Sequence, residues 1–146
     1  MKARLEPVLD CLRALAATDV WLEVTTLVVP GMNDSGEELA DIAGFIAGEL
    51  GAHVPWHVSR FHGDYHMADA AATPIETLQR ACEHGKAAGL KYVYSGNVAG
   101  LADERTHCPS CGEVVIDRAG FRVRAIRLDG GECPNCGEAI EGVWSR

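Results

Sequence analysis

Four of the six cysteines in this 146-residue chain stand in two copies of one short motif, CPSCG (108–112) and CPNCG (133–137). Cys-Pro-x-Cys-Gly bends the backbone so that both sulfurs face one point, and the glycine supplies the positive φ that completes the turn. Twenty-one residues separate the two pairs, enough for a hairpin that brings the second back to the first. Four thiolates at about 2.3 Å from one ion make a closed tetrahedral site with no open position for catalysis. Cys108, Cys111, Cys133 and Cys136 are therefore expected to hold a structural metal. Tetrahedral sulfur suits zinc or a single iron, and zinc is the more frequent occupant. His107 adjoins the first pair but meets a sphere already filled, so it is expected as a neighbour. Cys11 and Cys82 stand alone in helical patterns and are expected as small buried hydrophobes.

A second set of polar residues lies on VPWHVSRF (54–61), which reads as a strand. Alternation puts Pro55, His57, Ser59 and Phe61 on one face and Val54, Trp56, Val58 and Arg60 on the other. If Trp56 and Val58 meet helices, His57 points away from them, where a hydrogen-bonded core histidine and a ligand contact fit equally well. His62, Asp64 and His66 follow at a spacing that matches no metal template, and are expected as surface polar residues.

The elements that must position these groups alternate. Leu5, Val8, Leu9, Leu12, Leu15 and Ala16 recur at helical spacing over 3–17, and WLEVTTLVV (21–29) reads as a strand. Ser35 and Glu38 stand in capping-box register before a helix that ends at Gly51. After the strand at 54–61, Thr73-Pro74-Ile75-Glu76 predicts a capped helix start, and the helix runs to Gly89 before KYVYS (91–95). Connections of this length imply parallel strands with right-handed crossovers, whose chemistry collects at the strands' carboxyl ends. Three such units resemble part of a larger barrel, because few parallel strands leave faces and edges uncovered. The pattern then changes. The last forty residues show only short strands, at 114–116 and 121–126, and carry 5 basic and 6 acidic residues against 8 and 15 before them. The expectation is an α/β partial barrel over 1–105, followed by a β-rich, zinc-ribbon or rubredoxin-like unit over 106–146.

Composition narrows the classes. A net charge of −8 lacks the basic footprint of a nucleic-acid binder, and Arg122 and Arg124 read as a solvated strand face. No apolar run reaches the roughly 20 residues that cross a membrane. Glu6 and Asp10 interrupt the stretch a signal peptide would need, which points to the cytoplasm.

WLEVTTLVVPGMNDS, PWHVSRFHGDYHM, ATPIETLQRA, GLKYVYSGNV and the two CPxCG knuckles, in that order, resemble the C-terminal part of the AmmeMemoRadiSam system radical SAM enzymes. These are relatives of the pyruvate formate-lyase activating enzymes. The resemblance covers nearly the whole chain and implies a partial (β/α) barrel, a [4Fe-4S] cluster, S-adenosylmethionine and a cysteine-rich tail. It also implies that His57, in Pro55-Trp56-His57, contacts S-adenosylmethionine. The three-cysteine Cys-x-x-x-Cys-x-x-Cys motif that carries the cluster does not occur in this sequence. The expectation is thus a portion of such an enzyme, inactive alone, whose partners are the missing amino-terminal half or a protein substrate. A stand-alone ribbon interaction module and a rubredoxin-like electron carrier are the alternatives.

Overall fold

In a computed structural model, described over residues 4–98, 104–120 and 122–144, the chain forms two small sheets of opposite kind. The first half runs α1 (Leu5–Ala16), β1 (Val24–Val28), α2 (Gly36–Phe45), β2 (Trp56–Arg60), α3 (Ile75–Ala87) and β3 (Val93–Gly96). The strands pair in the order β1-β2-β3, all parallel, with Val24 opposite Trp56 and Trp56 opposite Val93. The second half is antiparallel: β4 (Thr106–His107), β5 (Val114–Ala119) and β6 (Arg122–Ile126) pair in that order. The expected fold class holds in both halves.

Each helix begins and ends for local reasons. Ser35 Oγ accepts the Glu38 backbone N–H at 3.2 Å and so caps α2, with Glu37 and Glu38 in the positive first turn. The helix closes through a π turn, Ile46–Leu50, in which Gly51 N–H reaches back to Ile46 C=O at 2.9 Å. That extra turn carries Ile46 and Leu50 into the core. Pro55 has no N–H to give, so the β2 ladder opens at Trp56. Gly85 lets α3 lie directly on the sheet, since a Cβ there would meet Val93 Cγ2 at 2.8 Å and Trp56 Cε3 at 3.1 Å.

Three expectations need correction. Thr73 does not cap α3, whose N-cap position is Pro74 with no side-chain bond. Instead Thr73 is fully buried; its Oγ1 donates to Val28 C=O at 2.6 Å and accepts Phe61 N–H at 3.0 Å. The ladder ends there, and its orphaned backbone groups hold the hydroxyl more firmly than a helix terminus open to water. Cys11 is exposed, because no residue of α1 is buried; Leu5 stays 68% and Val8 46% exposed. Only Cys82 joins the core, half-buried, with its thiol pKa pushed up by burial. On β6, Val123, which alternation puts on the face opposite the solvated Arg122 and Arg124, is exposed as well. Phe121 is outside the described residues.

The helices lie on one face of the parallel sheet, where Val28, Leu39, Ala43, Ile46, Trp56, Val58 and Leu78 form a dry core. The opposite face presents Thr25, Leu27, His57, Ser59 and Tyr94. Thr25 and Leu27 are exposed there. The antiparallel unit packs near the amino ends of the strands, so that Tyr92, just before β3, shares a core with Cys108, Val115, Ile116, Cys133 and Ile140. Among the described residues, no helix is long and apolar enough to cross a membrane.

Candidate metal centre and the adjoining cleft

The two knuckles are near copies in three dimensions. Cys108 N–H bonds Glu113 C=O and Gly112 N–H bonds Cys108 C=O, at 2.8 and 2.9 Å; Cys133 N–H bonds Glu138 C=O and Gly137 N–H bonds Cys133 C=O, both at 2.8 Å. Gly112 and Gly137 have φ of 76° and 75°, a region where a Cβ costs energy. These turns aim all four sulfurs inward. The Sγ atoms lie within 4.8 Å of one another, with Cys108–Cys136 at 3.6 Å and Cys111–Cys133 at 3.7 Å. A tetrahedron with metal–sulfur bonds of about 2.3 Å has edges of about 3.8 Å, so the donor set fits zinc or iron. Cys108 and Cys133 are buried, Cys111 and Cys136 exposed. His107 Nδ1 lies 3.0 Å from Gly112 C=O, which makes it a neighbour of the knuckle.

The two exposed thiols differ in acidity. Cys111 is pulled down to about 6 by the Asn135 side chain and the Glu113 backbone. Cys136 is pushed up to about 12: the Glu138 backbone lowers it, but the bond with Cys111, burial and the other two sulfurs outweigh that pull. Four negative sulfurs at this spacing need a cation among them.

His57 sits at the second residue of β2, towards the amino ends of the strands. Its Nε2 lies 2.7 Å from Glu23 Oε2, and its ring stacks on Tyr94 with centroids 5.1 Å apart. Glu23 also accepts Trp21 Nε1–H at 2.8 Å. Burial raises the Glu23 pKa, but these two bonds outweigh it and hold the carboxyl below its usual range. A cavity of about 250 Å³ opens here between the sheet and the ribbon. On its far side Glu141 accepts Tyr92 Oη–H at 2.7 Å and pairs with Lys91. Burial and that carboxylate push the Tyr92 phenol pKa up, so it remains a donor. This cleft was hidden in the sequence, since it joins residues from 21 to 144 through the packing of two units.

The carboxyl ends of the strands carry a different set. Asn33 bridges Val29 N–H at 2.7 Å and Leu27 C=O at 3.0 Å, and Asn97, at φ 60°, donates to Arg60 C=O at 3.3 Å. His62 and His66 are exposed, and Asp64 caps the short turn at Tyr65. Among the described residues, the four cysteines form the one cluster with metal-ligand geometry.

Comparison with known proteins gives one informative relative. The chain is 46% identical over 144 residues to the uncharacterized protein MJ0808 of Methanocaldococcus jannaschii. The match covers 97% of this chain and 43% of that protein, so the chain is a homologue of less than half of a longer one. No family profile and no solved structure matches.

Proposed function

We propose that this chain is the carboxyl-terminal portion of a radical S-adenosylmethionine enzyme, ending in a ribbon stabilised by zinc or iron. The observation that carries the reading is the half-covered sheet: three parallel strands with helices on one face, and on the other the ribbon beside His57 and Tyr94 but Thr25 and Leu27 left open. Parallel sheets are stable when both faces are covered, and the missing cover is what the rest of a barrel would supply. The ordered set of segments quoted above gives the chemical class, and the greater length of the archaeal relative agrees with it.

The cysteines present do not fit a [4Fe-4S] cluster of that chemistry. Their four sulfurs close around one ion, and such a cluster needs three cysteines and an open iron. In the whole enzyme the cluster and the radical step would reside elsewhere, and this portion would supply barrel wall and, through His57, a contact to S-adenosylmethionine. Glu23 now holds His57 Nε2, so that contact would require the pair to open.

The test is anaerobic reconstitution with iron and sulfide, then reduction with S-adenosylmethionine. This chain should yield no 5′-deoxyadenosine, and full-length MJ0808 should yield it. Failure of the full-length protein to bind a cluster would reject the class. Turnover by the 146 residues alone would reject the assignment as a portion. The exposed Val123 and Ile126 on β6 favour a second reading, a ribbon that docks another protein.

A further inference from the structure

The cleft between sheet and ribbon holds a guanidinium whose buried Nε–H has no hydrogen-bond partner among the described residues. Its two carboxylates are engaged: Glu23 by Trp21 and His57, Glu141 by Lys91 and Tyr92. Arg118, on β5, is different. Its guanidinium rests over the Tyr94 ring at 6.0 Å, and its Nε is buried without a hydrogen-bond partner among the described residues. A buried N–H left unmatched is destabilising, the more so when the group is charged. The Arg118 charge reaches Glu23, whose carboxyl it helps hold below the usual range, but no hydrogen bond joins the two among the described residues. The cleft's walls include Trp21 and Trp144, flat surfaces suited to a planar body, whereas Tyr92 is buried in the ribbon's core and Tyr94 carries His57 and Arg118 against its ring. At about 250 Å³ it lies below the range of drug-sized sites and accommodates one ring with a short substituent.

We propose that this cleft binds a small planar carboxylate, its oxygens on the Arg118 guanidinium and its ring against the cleft's aromatic walls. The guanidinium fork matches a carboxylate in two parallel bonds, which a lysine in its place would not. The site draws on both units, and it does not depend on the radical-enzyme reading.

The experiment titrates the full, metal-loaded chain with benzoate, benzamide and acetate, following tryptophan emission and the Arg118 Nε–H resonance. Benzoate should saturate and move that resonance, with benzamide and acetate at least tenfold weaker. Arg118→Gln, checked for retained metal and helical signal, should weaken benzoate at least tenfold. The wild-type resonance decides the matter if that variant fails to fold. Three results would overturn the proposal: no saturable benzoate binding at millimolar concentration, binding that leaves the resonance unmoved, or acetate bound as tightly as benzoate.

Discussion

The parallel unit and the ribbon solve the same problem with different resources. Around Trp56, α2 and α3 supply Leu39, Ile46 and Leu78, and a continuous apolar core forms without any ion. Among the described residues, the ribbon's buried core is Tyr92, Val115, Ile116 and Ile140 beside two cysteines, with Tyr94 and Leu128 packed against it, and both tyrosines come from the other unit. Chains of about 40 residues bury too little surface to fold unaided, so a metal must supply what packing does not. One unit is held by side-chain volume; the other has four sulfurs placed where an ion could join them. The lesson is that loss of a single ion should divide a chain whose two halves touch.

The largest test of that contrast is metal removal. Structural zinc contributes apparent binding energies of about 10–16 kcal/mol in small fingers, much of it folding energy. Chelation or Cys133→Ser should unfold residues 106–146 while the helical circular dichroism of the first half persists. Limited proteolysis reads this out directly, and a tail equally protected with and without metal would refute it.

A smaller effect is expected on the other side of the divide. Thr73→Val keeps the volume but deprives Phe61 N–H and Val28 C=O of their shared hydroxyl. Leaving such groups unpaired costs about 1–3 kcal/mol. Urea denaturation should show that loss in the helical transition, with metal affinity of the ribbon unchanged.

The smallest concerns the joint between the units. Burial raises the Glu141 pKa, but the bonds from Lys91 and Tyr92 outweigh it and hold the carboxyl below its usual value. A lowered folded-state pKa means stability that is fully present above the unfolded value of about 4.3 and is lost as pH falls through the folded one. The pair is partly exposed, so the contribution is at most about 1 kcal/mol. Glu141→Gln should flatten this acid limb of the melting curve, and an unaltered limb would assign it to other carboxylates.

Much of this was legible in residues. Ser35 three positions before Glu38 fixed the start of α2, and Pro55 fixed where β2 could begin pairing. The CPxCG repeats declared the cluster of four sulfurs, because a knuckle is a local structure with local causes. What stayed hidden depends on partners far away in sequence. Thr73 looked like a cap because its immediate context was a helix start, yet its hydroxyl is held by Val28, 45 residues away. Cys11 looked buried because helical spacing shows that an apolar stripe exists and cannot show what covers it. The cleft at Arg118 needed both units docked before any of its walls met.

Tyr92 gives the molecule a built-in gauge. Its carbonyl accepts the Trp56 backbone N–H at 3.0 Å, and its ring belongs to the ribbon's core. Trp56 is itself sealed from solvent, with its indole N–H on Thr26 Oγ1 at 2.9 Å. Deuterium uptake at that one amide, deep in the helical unit, should therefore quicken when an ion held by cysteines 52 and more residues downstream departs. A fully buried residue of one unit becomes a clock that keeps the time of the other.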